Sequence, residues 1–169
     1  VRVGEGPDDI VAYYNVCQHR GRELRQEARG QLGATLACRF HGWQWKPDGS
    51  LHSVYWGEDW KGCPSFDSEN LALPRVKVGR WGGWIWINLD PEAGPLRDYL
   101  EPAASMLDPF RLQDMRSRWR KWVIFECNWK VAMEAFCETY HVPGTHPEFM
   151  EFGQFRGWGR NQGLHSNIG

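Results

Sequence analysis

The chain has 169 residues, of which 41% are hydrophobic and 24% are charged, and its formal net charge is −1. This composition predicts a packed globular product and lacks the basic footprint that nucleic-acid binding usually leaves. No apolar run approaches the roughly 20 residues that span a bilayer, so we expect no membrane partner, no nucleic-acid partner and a cytoplasmic location. Because the chain begins at Val1 without a methionine and stops at Gly169, we expect it to be a piece of a longer polypeptide.

The N-terminal half is typical of short strands separated by turns. The candidate strands are Ile10–Asn15, Ala34–Ala37, Trp43–Lys46 and Leu51–Tyr55. Pro47-Asp48-Gly49 lies between the last two and predicts a hairpin turn. Tryptophans alternate at Trp43 and Trp45 and again at Trp84 and Trp86, and this spacing on a strand predicts that they fill a core.

Strands and helices are mixed in the rest of the chain. Two strand-like segments, LPRVKV and WGGWIWINL, are separated by Gly79-Arg80. After them we expect a helix over residues 96–107, a strand over Arg118–Phe125 and a helix over Asn128–His141. Asn128 is placed to cap that last helix. The most natural domain boundary lies near residues 90–115.

Two short motifs each combine a cysteine with a histidine, Cys17-Gln18-His19-Arg20-Gly21 and Cys38-Arg39-Phe40-His41-Gly42-Trp43. Their two thiolates and two imidazoles could bind tetrahedral zinc or a two-iron, two-sulfur cluster. Zinc fingers usually pair Cys with Cys and His with His, whereas each loop here contributes one of each. This mixed pairing resembles the Rieske signature. Cys63, Cys127 and Cys137 have no such neighbours and are expected to be small buried side chains.

A second group of metal-ligand residues follows Asn128-Trp129-Lys130. Glu138 and His141 are three residues apart, so on a helix they share one face. His146 lies just past Pro143-Gly144, where the chain can bend back. Two such histidines can supply two corners of a two-histidine, one-carboxylate site for non-haem iron(II). The alternative is a helix C-terminus, where histidines interact favourably with the helix dipole.

The order of these motifs resembles the alpha subunit of Rieske non-haem iron oxygenases, the aromatic-ring-hydroxylating dioxygenase family and its monooxygenase relatives. The resemblance rests on C-x-H-R-G, C-x-x-H-G-W, WINLDPEAGPLRDYL and N-W-K…E-x-Y-H…H. It implies an α+β fold that begins with a small antiparallel β Rieske domain, with the cluster at its tip and its first strand or strands missing. The start of a truncated helix-on-sheet catalytic domain follows. The ranges are 1–90 for the Rieske domain, 91–117 for a connecting segment and 118–169 for the catalytic domain.

The resemblance also implies roles for individual residues. The cluster ligands are Cys17, His19, Cys38 and His41, and the ligands of a mononuclear Fe(II) are His141 and His146. Glu138 is the catalytic residue; it stands where the family usually has Asp and bridges a cluster-ligand histidine of a neighbouring subunit to an iron-ligand histidine. The third iron ligand is expected beyond Gly169. Phe149, Phe152 and Trp158 are candidates for the rim of the substrate pocket.

The implied function is a Rieske-type mono- or dioxygenase that uses O2 to hydroxylate a small organic substrate, with aromatic hydrocarbons as a candidate class. NADH or NADPH supplies the electrons indirectly, through a reductase or a ferredoxin. A head-to-tail homotrimer is expected, so that the cluster of one subunit reduces the iron of the next. Two alternatives remain open, a Rieske-type electron-transfer protein without oxygenase activity and a zinc-binding interaction module.

Overall fold

The computed structural model describes residues 1–6, 8–66, 70–152 and 159–168. The chain divides into two compact units, Val1–Tyr99 and Leu100–Gly169. Every strand pair among the described residues is antiparallel, and short helices accompany the strands, which confirms the expected α+β class. The domain ranges given by the sequence stay a prediction.

The described part of the first unit contains two three-stranded antiparallel sheets. Their strands are β1 (Ala12–Tyr13), β2 (Leu36–Ala37), β3 (Gln44–Trp45), β4 (Leu51–Ser53), β5 (Arg75–Trp81) and β6 (Trp84–Asn88). One sheet has the order β1-β5-β6 and the other the order β2-β3-β4. A short 3-10 helix, Gly57–Trp60, follows β4.

Two tight turns connect the strands of the two hairpins β3–β4 and β5–β6. The Asp48 carboxylate accepts hydrogen bonds from the Ser50 N–H at 2.9 Å and from its hydroxyl at 2.7 Å. This turn joins β3 to β4 and confirms the hairpin predicted at Pro47-Asp48-Gly49. The break predicted at Gly79-Arg80 is wrong, because β5 runs through these residues. The chain turns at Gly82-Gly83 instead, where φ values of 64° and 89° suit two glycines.

Tryptophan fills the core of the first unit. Trp45 is 0% exposed, and its Nε1–H donates to the Leu71 carbonyl at 2.8 Å. Trp43 is 6% exposed, so the prediction that this pair lies in a core is confirmed. At about 25 cal/mol per Å², burying one such side chain contributes roughly 4–6 kcal/mol as an upper estimate. Trp84 is 56% exposed on the edge strand β6, so for this residue the core prediction is wrong. The other buried residues of the core are Cys17, Leu24, Leu36, Cys38 and Leu73.

The two cysteine–histidine motifs form loops with the same backbone fold. In Cys17–Arg22 and in Cys38–Trp43, the first residue's N–H donates to the last residue's carbonyl at 2.8 Å. The N–H of Gly21 or Gly42 returns a hydrogen bond to the cysteine carbonyl, at 2.9 Å and 3.0 Å respectively. These glycines have φ values of 72° and 69°, a left-handed conformation that glycine adopts readily. Two loops with the same hydrogen-bond pattern therefore carry the four predicted cluster ligands.

Helix α1 (Leu96–Leu100) ends the first unit, and its last residue is the first of the second unit. The regular elements that follow among the described residues are short helices and one hairpin. The helices are α2 (Ala103–Leu107), α3 (Trp129–Glu134) and α4 (Val142–Thr145). Turns of 3-10 helix lie at Asp108–Phe110, Leu112–Asp114 and Pro147–Phe152, and the hairpin pairs β7 (Gly159–Gln162) with β8 (His165–Ile168). In the part of the chain that the structure describes, no helix has the length and apolar character needed to cross a bilayer.

Three predicted elements of this region differ from the structure. The helix over 96–107 is interrupted before Pro102, which has no N–H to donate. Arg118–Phe125 forms no strand, because none of the described segments pairs with it and a single strand is unstable alone. Asn128 caps α3 as predicted, its Oδ1 accepting the Lys130 N–H at 2.9 Å. That helix nevertheless ends at Glu134, since no residue of α3 is buried and packing of one face is what sustains a helix.

We expect Gly42→Ala to destabilise the protein more than Gly21→Ala. Both substitutions put a side chain at a left-handed φ, which costs about 1–2 kcal/mol. A Cβ on Gly42 also overlaps the Tyr55 ring, whereas nothing lies within 4 Å of a Cβ on Gly21. Urea unfolding of the purified variants measures the difference. In a Tyr55→Ala background, Gly42→Ala should cost no more than Gly21→Ala does in the wild type. Equal losses in the two single variants would contradict the prediction.

Candidate functional site

The four predicted cluster ligands lie together at one site beside the tryptophan core. The His19 and His41 rings are 4.6 Å apart between centroids, at an angle of 66°. The Cys17 and Cys38 thiols are 3% and 2% exposed and lie within hydrogen-bonding reach of each other. The cysteines are buried and the histidines only half-buried. Two thiols on the inner side and two imidazoles on the outer side match the ligand division of a mixed-ligand two-iron cluster.

Backbone amides converge on both sulfur atoms. In each loop, the N–H groups two and three residues after the cysteine point at its sulfur. Burial raises the pKa of the Cys17 thiol above its ordinary value despite these donors. Burial is also the largest single influence on Cys38 and by itself would raise its pKa. The amides, the Cys17 thiol and the Arg22 charge together outweigh burial, so the Cys38 pKa is lowered. Such donors stabilise the thiolate, which is the form that binds metal.

His19 has a buried ring nitrogen without a protein partner. Its Nδ1 makes no hydrogen bond, although buried polar atoms are normally paired. Burial lowers the pKa of His19, and the His41 and Arg20 charges lower it further, so the imidazole is neutral at pH 7, as metal ligation requires. Its ring stacks on Trp43 with 4.7 Å between centroids and 5° between planes. An unpartnered ring nitrogen beside two amide-facing thiols is a donor set that fits a Rieske cluster.

Zinc and a two-iron cluster place different demands on these side chains. Structural zinc takes four ligands around one ion. A two-iron cluster needs only two protein ligands on each iron, because inorganic sulfides complete the coordination. Among the described residues, no three His, Cys, Asp or Glu side chains are grouped to hold a single metal ion.

An open groove of about 740 Å³ borders the half-buried His41. Aromatic side chains line much of it, namely Phe40, Tyr55, Trp56 and Trp60. Trp56 has φ of 51°, which is uncommon for a bulky residue, and it is 81% exposed. Sequence reasoning missed these aromatic side chains, and the signal that could have revealed them was the Tyr55-Trp56 pair at the end of the strand predicted over Leu51–Tyr55.

The second predicted site contains a carboxylate–histidine pair. Glu138 Oε2 accepts the His141 backbone N–H at 3.0 Å, and Oε1 lies 2.5 Å from His141 Nδ1. These hydrogen bonds lower the pKa of Glu138, which keeps the carboxylate ionised. An ionised carboxylate only accepts hydrogen bonds, so Nδ1 is the donor of this pair and Nε2 is the ring nitrogen left for a metal. The pair does not share a helix face as predicted, because Glu138 lies in the turn between α3 and α4.

The short helix α4 brings His146 close to His141. Their rings are 5.5 Å apart between centroids, at 69°. His146 Nδ1 lies 3.5 Å from Glu148 Oε1, so this histidine also has a neighbouring carboxylate, though a more distant one. The structure therefore brings Glu138, His141 and His146 together within the second unit.

The predicted pocket-rim residues and the three cysteines outside the motifs do not form a common site among the described residues. Phe149 borders the His146 ring at 5.6 Å, whereas Phe152 is 83% exposed and Trp158 lies outside the described residues. The prediction that the three other cysteines are buried is wrong, because all three lie exposed in turn or loop segments. These exposed cysteines are Cys63, Cys127 and Cys137.

Two protein families match consecutive stretches of the chain. The Rieske [2Fe-2S] domain matches residues 2–56, which include all four predicted cluster ligands. The ring hydroxylating alpha subunit (catalytic domain) matches residues 97–168, which include Glu138, His141 and His146.

Three similar proteins agree with these matches. The carnitine monooxygenase oxygenase subunit of Acinetobacter pittii (strain PHEA-2) is 33% identical over 152 residues, which cover 86% of this chain and 39% of that protein. The crystal structure of the quaternary ammonium Rieske monooxygenase CntA with L-carnitine superposes with a TM-score of 0.73 at 30% identity, covering 94% of this chain and 45% of that one. Naphthalene 1,2-dioxygenase with indole bound in the active site superposes with a TM-score of 0.58 at 32% identity, covering 85% and 33%.

The chain spans less than half the length of each of these three proteins. Within that span, the matches follow the order of the motifs, first the Rieske domain and then catalytic-domain sequence. The resemblance seen in the sequence is therefore confirmed, and the chain belongs to the alpha subunits of Rieske non-haem iron oxygenases.

Proposed function

We propose that this chain contributes to the terminal oxygenase component of a Rieske oxygenase system and that Cys17, His19, Cys38 and His41 hold its two-iron, two-sulfur cluster. The observation that carries this proposal is the repeated loop, which places two amide-facing thiols and the unpartnered His19 Nδ1 at one site. When bound, the cluster supplies electrons one at a time, and a mononuclear iron supplies O2 activation.

At the first site, the protein stabilises negative charge on the cysteine sulfurs and limits the access of water to them. The amides that face Cys17 and Cys38 stabilise negative charge on sulfur, and burial of both thiols keeps water away from them. Neutral imidazoles in place of two thiolates remove negative charge, which raises the reduction potential relative to an all-cysteine cluster. This combination suits a centre that accepts an electron from a protein donor and passes it on.

At the second site, we propose that His141 and His146 bind Fe(II) together with a carboxylate. Glu138 orients the His141 ring through Nδ1, and Nε2 would be the nitrogen that holds the iron. By family resemblance, Glu138 also faces a cluster-ligand histidine of a neighbouring subunit in a homotrimer. Electrons reach the cluster from NADH or NADPH through a reductase or ferredoxin. The cytoplasmic location and the domain ranges 1–90, 91–117 and 118–169 belong to the same proposal.

For the substrate, we propose a quaternary ammonium compound, oxidised by monooxygenation, in place of an aromatic hydrocarbon. The carnitine-binding structure superposes with a TM-score of 0.73, against 0.58 for naphthalene dioxygenase at similar identity. Glu138, where ring dioxygenases usually have Asp, agrees with this preference.

The full-length protein should contain about three irons per chain together with acid-labile sulfide, two irons in the cluster and one at the second site. His41→Ala should remove the visible absorbance of the cluster. His146→Ala should lose one iron and O2 consumption but keep that absorbance, because it changes only the second site. His52→Ala, on the exposed part of β4, is the control and should change neither.

Metal analysis of these variants also separates the alternatives. Zinc without iron would contradict the cluster. Two irons per chain without O2 consumption would indicate a Rieske-type electron carrier instead of an oxygenase.

Glu138→Gln should lower turnover by about 10–100-fold, the usual effect of removing the partner of a metal-binding histidine. Glu148→Gln is the matched control, because its carboxylate is 3.5 Å from a ligand histidine and 63% exposed. It should keep most of the turnover. A stopped-flow single-turnover experiment, read from the cluster absorbance, measures the rate of electron transfer to the iron in both variants. Equal rates in the Glu138→Gln variant and the wild type would remove this carboxylate from the proposed pathway.

The full-length oxygenase, supplied with a reductase and NADH, should consume O2 with carnitine or glycine betaine and not with naphthalene. Product analysis by mass spectrometry should show one oxygen atom from ¹⁸O2 incorporated for each turnover. Oxidation of naphthalene to a dihydrodiol, with no turnover of the quaternary amines, would reverse the proposed substrate class while leaving the oxygenase assignment intact.

A further inference from the structure

Trp43 belongs to one ligand loop and packs on a ligand of the other. Its carbonyl closes the second loop by accepting the Cys38 N–H at 2.8 Å. Its indole ring stacks on His19, which belongs to the first loop, with centroids 4.7 Å apart and planes only 5° apart. The two loops are thus joined through a single side chain as well as through their ligands.

The indole itself is held in place from its other sides. Trp43 is 6% exposed. The Phe66 ring meets it edge-on, with centroids 6.0 Å apart at 83°, and the fully buried Trp45 lies 6.2 Å away at 43°. A buried ring with aromatic neighbours has few alternative rotamers, so Trp43 offers His19 a fixed surface.

His19 depends on that surface more than an ordinary buried histidine would. A hydrogen bond from the protein usually helps to set the orientation of a ligand imidazole, but His19 Nδ1 has none, and a metal bound there would fix one atom of the ring and leave the plane of the ring open. His41 also contacts the His19 ring, at 66°, but this imidazole in turn meets the exposed Phe40 ring, tilted at 38°. Parallel stacking on Trp43 is therefore the contact that defines the plane of the His19 ring.

We propose that Trp43 is a positioning residue of the iron–sulfur site, which sets the plane of the His19 ring and keeps water from that side of the cluster. The proposal rests on the cluster ligation given under the proposed function. Reduction adds one negative charge to the cluster, and water stabilises charge, so a site opened at Trp43 has a higher reduction potential. A His19 ring without its stacking partner also takes up a range of orientations, which broadens the electron paramagnetic resonance signal of the reduced cluster.

The test compares Trp43→Phe, Trp43→Leu and Trp45→Phe in the cluster-loaded full-length protein. Trp45→Phe is the matched control, because it shortens an equally buried indole of the same core that does not touch His19. Trp43→Leu should broaden the resonance and raise the potential, and Trp43→Phe, which keeps a stacking ring, should do both to a smaller extent. Trp45→Phe should lower stability, measured by urea unfolding, but should shift the resonance and the potential less than Trp43→Phe does, because the introduced phenylalanine would still place an aromatic ring beside Trp43.

Each outcome decides the proposal. Unchanged resonance and potential in a fully loaded Trp43→Leu variant would overturn it, as would equal shifts in Trp43→Phe and Trp45→Phe, which would reduce Trp43 to general core packing. If Trp43→Leu does not fold, the comparison of the two phenylalanine variants decides alone. Absence of iron and sulfide in the wild-type protein would instead defeat the proposed cluster, and this result is obtained before any variant is made.

Discussion

The first site depends on one hydrogen bond made twice, the bond from a cysteine N–H to the carbonyl five residues later. This closure bends Cys17–Arg22 and Cys38–Trp43 into turns whose inner amides face sulfur instead of water. The turn can close only if the chain reverses through a left-handed residue, and Gly21 and Gly42 supply that conformation. Because both loops obey the same constraint, their thiols meet and their histidines emerge on the same side. The tryptophan core beneath supplies the apolar area that holds the two turns together.

The two sites orient their histidines by different physical means. At the first site the surroundings are buried, and His19 is aligned by stacking on an apolar ring with its Nδ1 left free. At the second site the surroundings are more open, and His141 is aligned by an ionised carboxylate that accepts from both its backbone and its ring. A charged partner such as Glu138 is tolerable where water can reach it and would be costly among buried thiols. The choice of partner therefore follows from the burial of each site.

Rules that act over a few residues predicted the structure well. The hairpin turn at Asp48 and the cap at Asn128 form as expected, because each needs only a side-chain oxygen and an N–H two residues away. The strand expected at Arg118–Phe125 failed for the opposite reason, since a strand requires a partner that its own alternation cannot supply. The helix toward His141 failed because helical spacing does not guarantee the buried face that would sustain it beyond Glu134.

The sequence by itself determined the kinds of candidate ligand at both sites and the pairing of one cysteine with one histidine in each loop, because residue type and short spacing limit what a loop can coordinate. It also determined the family, through the order of the motifs. Only the tertiary structure decided that Trp43 stacks on His19, that Tyr55 covers Gly42 and that Glu138 reaches His141 through a turn. The first two contacts join segments that are distant along the chain, and the third depends on where a helix stops. The packing of the whole unit determines such contacts, and they cannot be read from a local sequence periodicity.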